Sequence, residues 1–255
     1  MNGCIIQARM GSTRLPGKVM YKINERPIID YLLSQIKHSE LIDKIVVATT
    51  DQKNDDIIYD HIKRKKISVF RGDEHDVLDR YYKCAKKFQF STIIRITADN
   101  PLIEPQIIDR CIKKFYENSY DYVSNTIKRT FPIGYDVEIF SFEVLENAWK
   151  NAKLPSEREH VTPNIIKNNR LKKFNIENSQ DFSKFRITLD TDADLELIKK
   201  ILTEKRESPI FFNDINKLIK NKSSLFDINK HVKHDGYERS IERDKIFLEN
   251  MKDNA

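Results

Sequence analysis

Short apolar runs alternate with amphipathic stretches through the first half of the chain. Val, Ile and their neighbours cluster in Gly3–Ala8, Lys44–Thr49, Ile67–Phe70, Ile93–Thr97 and Tyr122–Asn125, which predicts five strands. Between them apolar residues recur at helical spacing over Pro27–Ile36, Asp55–Lys65, Asp76–Phe88 and Gln106–Tyr116. This alternation predicts α/β architecture: a doubly wound, Rossmann-like, mostly parallel sheet covered on both faces. In such sheets the ligand lies outside the carboxyl ends of the strands.

The pattern changes after Asn125. Gly134–Ser141 alternates as a strand and is followed by a helix through Trp149. Leu154–Ile166 predicts a loop that leads into a helix near Pro163. Phe182–Leu189 predicts a last strand, and Asp192–Thr203 a helix begun by an Asp cap. Residues 1–205 then make one domain, and residues 206–255 a polar, mainly helical appendage. That tail packs either on a partner or back over its own sheet.

The first predicted strand opens into an unusual loop. In MNGCIIQARMGSTRLPGKVM, Gly11 and Gly17 bracket Ser12, Thr13 and Pro16, among Arg9, Arg14 and Lys18. Glycines let backbone N–H groups approach an anion, hydroxyls add donors, and the cations neutralise charge. Three cations within ten residues suit a triphosphate. The loop has neither the G-x-x-x-x-G-K-[ST] nor the G-x-G-x-x-G pattern.

Two Asp-bearing segments follow further along. In RITADNPLI an apolar run ends at Asp99, and Asn100-Pro101 breaks it. In RITLDTDADLELI, Asp190 ends a strand-like run, while Asp192 and Asp194 open the next helix, where the helix dipole favours carboxylates. A carboxylate at a strand end suits Mg²⁺ held against phosphate oxygens, although a turn cap at Asp99 is an equal reading of spacing alone. The formal net charge of +6 spreads over the chain, with Lys mixed among Asp, Glu and Asn. It therefore predicts attraction of anionic nucleotides and no nucleic-acid partner. Cys4, Cys84 and Cys111 are odd in number and lack metal-type spacing, which predicts a reducing, cytoplasmic setting with Cys4 in the core. No segment has the length of a membrane span or the layout of a signal peptide.

Ala8, Arg9, Gly11, Ser12, Arg14, Pro16 and Lys18 together resemble the A-R-x-G-S-x-R-x-P-x-K signature of sugar-acid cytidylyltransferases. Asp99 resembles the D-x-P-L-I segment of the Kdo type, and Asp190 the D-T-x-x-D-L segment. FRGDEHDVLDRYY and LPSEREHVTPNII resemble the spore-coat-polysaccharide branch, and the likeness covers about residues 3–205. The resemblance implies an enzyme in which an acceptor oxygen attacks the α-phosphorus of CTP in line, CMP is transferred and pyrophosphate leaves. The acceptor is a small sugar acid of nonulosonic type, in surface polysaccharide or glycoconjugate synthesis.

Arg9, Arg14 and Lys18 are then catalytic with Asp99 and Asp190, and the two Asp are the Mg²⁺ ligands. Ala8, Gly11, Ser12, Thr13, Thr49, Asp51, Gly72 and Asp73 join the three cations around the nucleotide. Asp136, Glu138, Glu157, Arg158 and His160 are acceptor-site candidates, and a homodimer is implied. A phosphate- or phosphonate-bearing acceptor, another NTP, a non-catalytic nucleotide-binding protein of this fold, and a glycosyltransferase reading of Asp190-Thr191-Asp192 stay open at this point.

Overall fold

The computed structural model describes residues 1–205, 208–233 and 235–253. Its strands are β1 (Asn2–Gln7), β2 (Lys22–Ile23), β3 (Arg26–Pro27), β4 (Lys44–Thr50), β5 (Ser68–Gly72), β6 (Thr92–Thr97), β7 (Tyr122–Ser124), β8 (Glu138–Ser141) and β9 (Lys173–Asn175). The helices are α1 (Ile28–Ile36), α2 (Asp56–Arg64), α3 (Val77–Lys87), α4 (Pro105–Glu117), α5 (Phe142–Asn151), α6 (Pro155–His160), α7 (Pro163–Lys167), α8 (Asp192–Glu204), α9 (Phe212–Asn221) and α10 (Gly236–Asp253). Apart from a β2–β3 hairpin, the strands form one sheet in the order β5-β4-β1-β6-β8-β7-β9. β8 runs antiparallel to both neighbours, β6 and β7, and the other pairings are parallel.

Successive residues of β1 point to opposite faces, and both faces are buried, which is why its sequence is continuously apolar. Cys4 and Ile6 enter one core with α1, α2, α4 and α8, whereas Ile5 enters the other with α3 and α5. Ile210, Ile215, Leu218, Ile219 and Phe226 belong to the first core. The segment 210–226 therefore packs on the chain's own sheet. Buried Gln35 fastens it, donating to Ile210 O and accepting from Ile210 N.

Several expectations meet a different local answer. Strand pairing in the Gly134–Ser141 segment begins only at Glu138, because the Asn125 side chain takes the backbone of Tyr135 and Val137. Phe182–Leu189 turns at Ser183–Lys184, carries buried Ile187 and Leu189, and makes one isolated parallel bridge, Arg186 to Ile133, but joins no ladder. It crosses the sheet end as a strap held by loop backbone: Ile187 N donates to Ile133 O (2.8 Å) and Leu189 N to Asp99 O (2.8 Å). The cap of α8 is Thr191, whose side chain accepts from Asp194 N, so Asp192 lies inside the helix. Leu154–Ile166 holds helix α6 as well as α7, since Pro155 fits a first turn and Glu157 accepts from Lys153 N and Leu154 N. The edge strand β9 is too short and polar to show a period.

Gly134 lets the strap lie this close. Its φ is +111°, and an added Cβ would stand 2.8 Å from Ile187 C and Thr188 N. Gly134→Ala meets backbone that cannot rotate away, on top of an unfavourable φ. We expect a loss of about 1–3 kcal/mol of stability, read as a lower urea midpoint at unchanged m. An unchanged midpoint would show the strap free to shift.

Candidate active site

The loop after β1 is closed by its own backbone. Met10 O accepts from Ser12 N (2.9 Å) and Gly17 N (2.8 Å). Gly17 has φ +74°, and a 3-10 turn over Lys18–Met20 follows, which brings Lys18 back beneath the loop. From outside, buried Asp55 holds the loop to the end of β4. Its carboxylate accepts from Met10 N (2.7 Å), Thr49 Oγ1 (3.1 Å), Thr50 N (3.1 Å) and Thr50 Oγ1 (2.5 Å). Such a carboxylate fixes loop and strand together without facing ligand.

Lys18, Asp99 and Asp190 meet at one point. Lys18 Nζ donates to Asp99 Oδ2 (2.6 Å) and Asp190 Oδ1 (2.7 Å). Asp99 lies just past β6, its other oxygen accepting from Thr97 Oγ1 (2.5 Å). The strap delivers Asp190, which also pairs with Arg14 (3.0 Å) and Arg186 (2.5 Å). Burial works against the Lys18 charge, but the two carboxylates outweigh it and raise its pKa above the ordinary lysine value. Burial likewise works to raise Asp190, yet Lys18, with Arg14 and Arg186 behind it, pulls that carboxyl down to about 2. Completely buried Asp194 anchors the strap, accepting from Arg186 Nε (2.9 Å), Asp190 N (3.0 Å) and Asn229 Nδ2 (2.7 Å).

These groups line a cavity of about 660 Å³ at the carboxyl ends of the strands, where the fold rule places ligand. Ala8, Arg9, Ser12, Thr13, Arg14, Lys18, Asp99 and Asp190 all face it, with Asp136 and His160 across from them. Gly11 stays on the exposed side of the loop. Thr49 is buried with its hydroxyl on Asp55, and Asp51 is exposed, its N–H donating to Gly72 O. Asp73 accepts from His75 N and Asp76 N to close its own turn. None of these four residues, Thr49, Asp51, Gly72 and Asp73, forms cavity wall.

The acceptor candidates also divide. A second cavity of about 350 Å³ shares Arg95, Thr97, Asp136 and His160 with the first, and Glu138 lines it. Glu138 is fully engaged by Arg95, Tyr122 Oη (2.6 Å) and Thr162 Oγ1 (2.6 Å). Asp136 pairs with Arg129 through both oxygens. Glu157 and Arg158 line neither cavity. Glu157 caps α6, and Arg158 reaches Asp76 Oδ2 (2.9 Å from Nε) and Trp149 O (2.8 Å), because the short helix turns both away from the cleft. The sequence reading passed over Asp55, Arg80, Arg95, Arg129 and Arg186. Arg95 had a visible signal, a cation inside the apolar run IIRIT. The buried guanidinium of Arg80 likewise sits on the apolar face of α3.

The cytidylyltransferase family model matches residues 3–232. An uncharacterized protein of Methanocaldococcus jannaschii is 39% identical over 247 residues, covering 93% of this chain and 98% of that one. The spore coat polysaccharide biosynthesis protein SpsF of Bacillus subtilis is 35% identical over 213 residues, 80% of this chain and 88% of its own. The structure of a cytidylyltransferase from Leptospira borgpetersenii superposes with a TM-score of 0.84 at 35% identity, covering 88% of this chain and 96% of that chain. With the phosphate-type loop and paired carboxylates at the sheet end, these likenesses place the chain in the cytidylyltransferase family, as a CTP-dependent nucleotidyltransferase.

Proposed function

We propose that the protein transfers CMP from CTP to a small acidic sugar of nonulosonic type, releasing pyrophosphate, in surface polysaccharide or glycoconjugate synthesis. The observation that carries this reading is the convergence of Asp99 and Asp190 on one cationic point beneath Arg9 and Arg14. Both oxygens lie within 2.7 Å of Lys18 Nζ, so the pair can face one small ion. Among the described residues no cluster of three or more His, Cys, Asp or Glu can hold a metal alone. That donor set fits Mg²⁺, which takes one or two carboxylates and fills its octahedron with phosphates and water. Bound there, Mg²⁺ neutralises phosphate charge and fixes its geometry.

The chain's own residues do the rest. Arg9, Arg14 and Lys18 hold the β- and γ-phosphates and take up the charge of the departing pyrophosphate. No side-chain nucleophile is needed, since the acceptor oxygen attacks the α-phosphorus itself. The second cavity suits the acceptor. Its Arg95 and Arg129 pair with Glu138 and Asp136, and Lys167 has no acidic partner there among the described residues, leaving an excess cation for an acidic group. SpsF, by its name, serves spore coat polysaccharide synthesis, which agrees with a sugar acceptor. Three free, buried cysteines accord with work in the reducing cytoplasm, and no helix among the described residues is long and apolar enough to cross a membrane. A homodimer belongs to the same reading.

Asp99→Asn and Asp190→Asn should each fold and lose Mg²⁺-dependent pyrophosphate release by roughly 30- to 1000-fold, about 2–4 kcal/mol of barrier. Wild-type turnover with unchanged Mg²⁺ dependence would remove that residue from the metal. Arg14→Ala and Lys18→Ala should weaken CTP binding more than CMP binding, by about 1.5–3 kcal/mol each in calorimetry. Equal losses would place the side chains away from the outer phosphates. Finally, kcat/KM for CTP should exceed that for UTP by about 100-fold or more, because cytosine and uracil present reversed donor and acceptor edges. Parity between the two would overturn the base assignment and leave the phosphate site standing.

A further inference from the structure

His160 ends α6 at the seam of the two cavities and contributes to the wall of both. On the proposed reading, the acceptor hydroxyl and the α-phosphate meet at that seam. The hydroxyl must lose its proton as the new bond forms. The residue after His160 is strained: Val161, β-branched and buried, has φ +70°. Such outliers persist where surrounding structure imposes them, often at functional sites.

Helix α10, beyond the family match at residues 3–232, grips the ring. His160 Nε2 lies 2.7 Å from Ser240 Oγ, and Tyr237 meets the imidazole edge-on at 5.3 Å. α10 is itself docked on α6 by Asp244, which accepts from Ser156 N (2.8 Å) and Ser156 Oγ (2.5 Å). The Ser240 hydroxyl proton faces Glu159 Oε2 (3.2 Å) and Gly236 O (3.1 Å), while its oxygen accepts from Arg243 (2.8 Å). With that proton given to these two acceptors, the matching tautomer has Nε2–H donating to Ser240. The ring's lone pair is left on Nδ1.

We infer that His160 is the general base of CMP transfer, with Ser240 of α10 as its positioning residue. Nδ1 takes the acceptor hydroxyl's proton as that oxygen bonds to the α-phosphorus. The bond from the α-phosphorus to the pyrophosphate oxygen breaks, and the imidazolium returns its proton to solvent. Burial lowers the His160 pKa below the ordinary imidazole value and keeps the ring neutral near pH 7. The charges facing it are Glu159 on its own helix, Arg95 on β6, Glu138 on β8, Asp136 before β8, and Arg239, Glu242 and Arg243 on α10. Glu159 and Glu138 oppose the shift, and Arg95 and Arg243 reinforce it.

The inference rests on the proposed acceptor reading, so the experiment separates the two. Pyrophosphate release is measured from CTP and Mg²⁺ with Kdo and N-acetylneuraminate as probes, across pH. Wild-type kcat/KM should fall toward acid as Nδ1 protonates. His160→Gln should lower kcat/KM by about 10²- to 10⁴-fold, abolish that acid limb and leave CTP affinity by calorimetry unchanged. Ser240→Ala should move the limb at a smaller cost in rate. In the wild-type protein, the His160 C2–H resonance should titrate at the pKa of the limb, a check that needs no variant to fold. A mismatch there, or an unaltered rate and profile in His160→Gln, overturns the assignment of His160 alone. A wild-type protein inactive with both probes overturns the acceptor reading and this inference with it.

Discussion

The site depends on one ammonium group between two carboxylates. Lys18 Nζ joins residues 81 and 172 positions away in the chain, and so ties the first loop to β6 and to the strap. Two half-buried carboxylates facing each other without a cation would repel. Lys18 removes that cost and keeps both Asp side chains aimed at one point. A cation so placed keeps the donor pair of the proposed Mg²⁺ site assembled. It also stands where outer phosphates can draw it away.

Two further carboxylates support this centre without touching the cavity. Asp55 spends its oxygens on the loop backbone and the β4 threonines, and Asp194 on Arg186, Asn229 and the backbone of Asp190. Each is buried and satisfied by several donors, the condition under which an interior charge is tolerated. Removing such a group leaves buried donors unpaired, so their role is to hold geometry. The segment past residue 206 takes part as well, because Asn229 reaches both Asp194 and Arg186 O.

The acceptor side is built differently. Its charges come from β6, β8, the preceding loop and α10, paired mostly with one another: Arg95 with Glu138, Arg129 with Asp136, Arg243 with Glu159. Pairing keeps this wall polar and close to neutral, whereas on the phosphate side Arg9, Arg14 and Lys18 gather around Asp99 and Asp190. On the proposed reading, a triphosphate is drawn to one half of the cleft, and a hydroxyl-rich acceptor finds donors and acceptors in the other.

The sequence by itself determined the strand–helix alternation, the cationic loop and the choice of Asp99 and Asp190 as site residues. Each is a local pattern: apolar runs of strand length, glycines among cations, a carboxylate before a helix breaker. The predicted helix start at Asp76 also holds: its side chain accepts from Asp79 N and caps α3. What only the tertiary structure decided was partnership. Phe182–Leu189 has a strand's alternation, but no strand edge lies beside it, so it became a strap. Glu157 and Arg158 share a polar cluster with His160, yet six residues of helix turn two away from the cleft and one into it. Asp55 reads in sequence as an ordinary helix-entry acid, and only packing of α2 against the first loop makes it a clamp. Periodicity is written within a few residues, whereas electrostatic pairing and burial depend on which distant segments the fold brings within 3 Å.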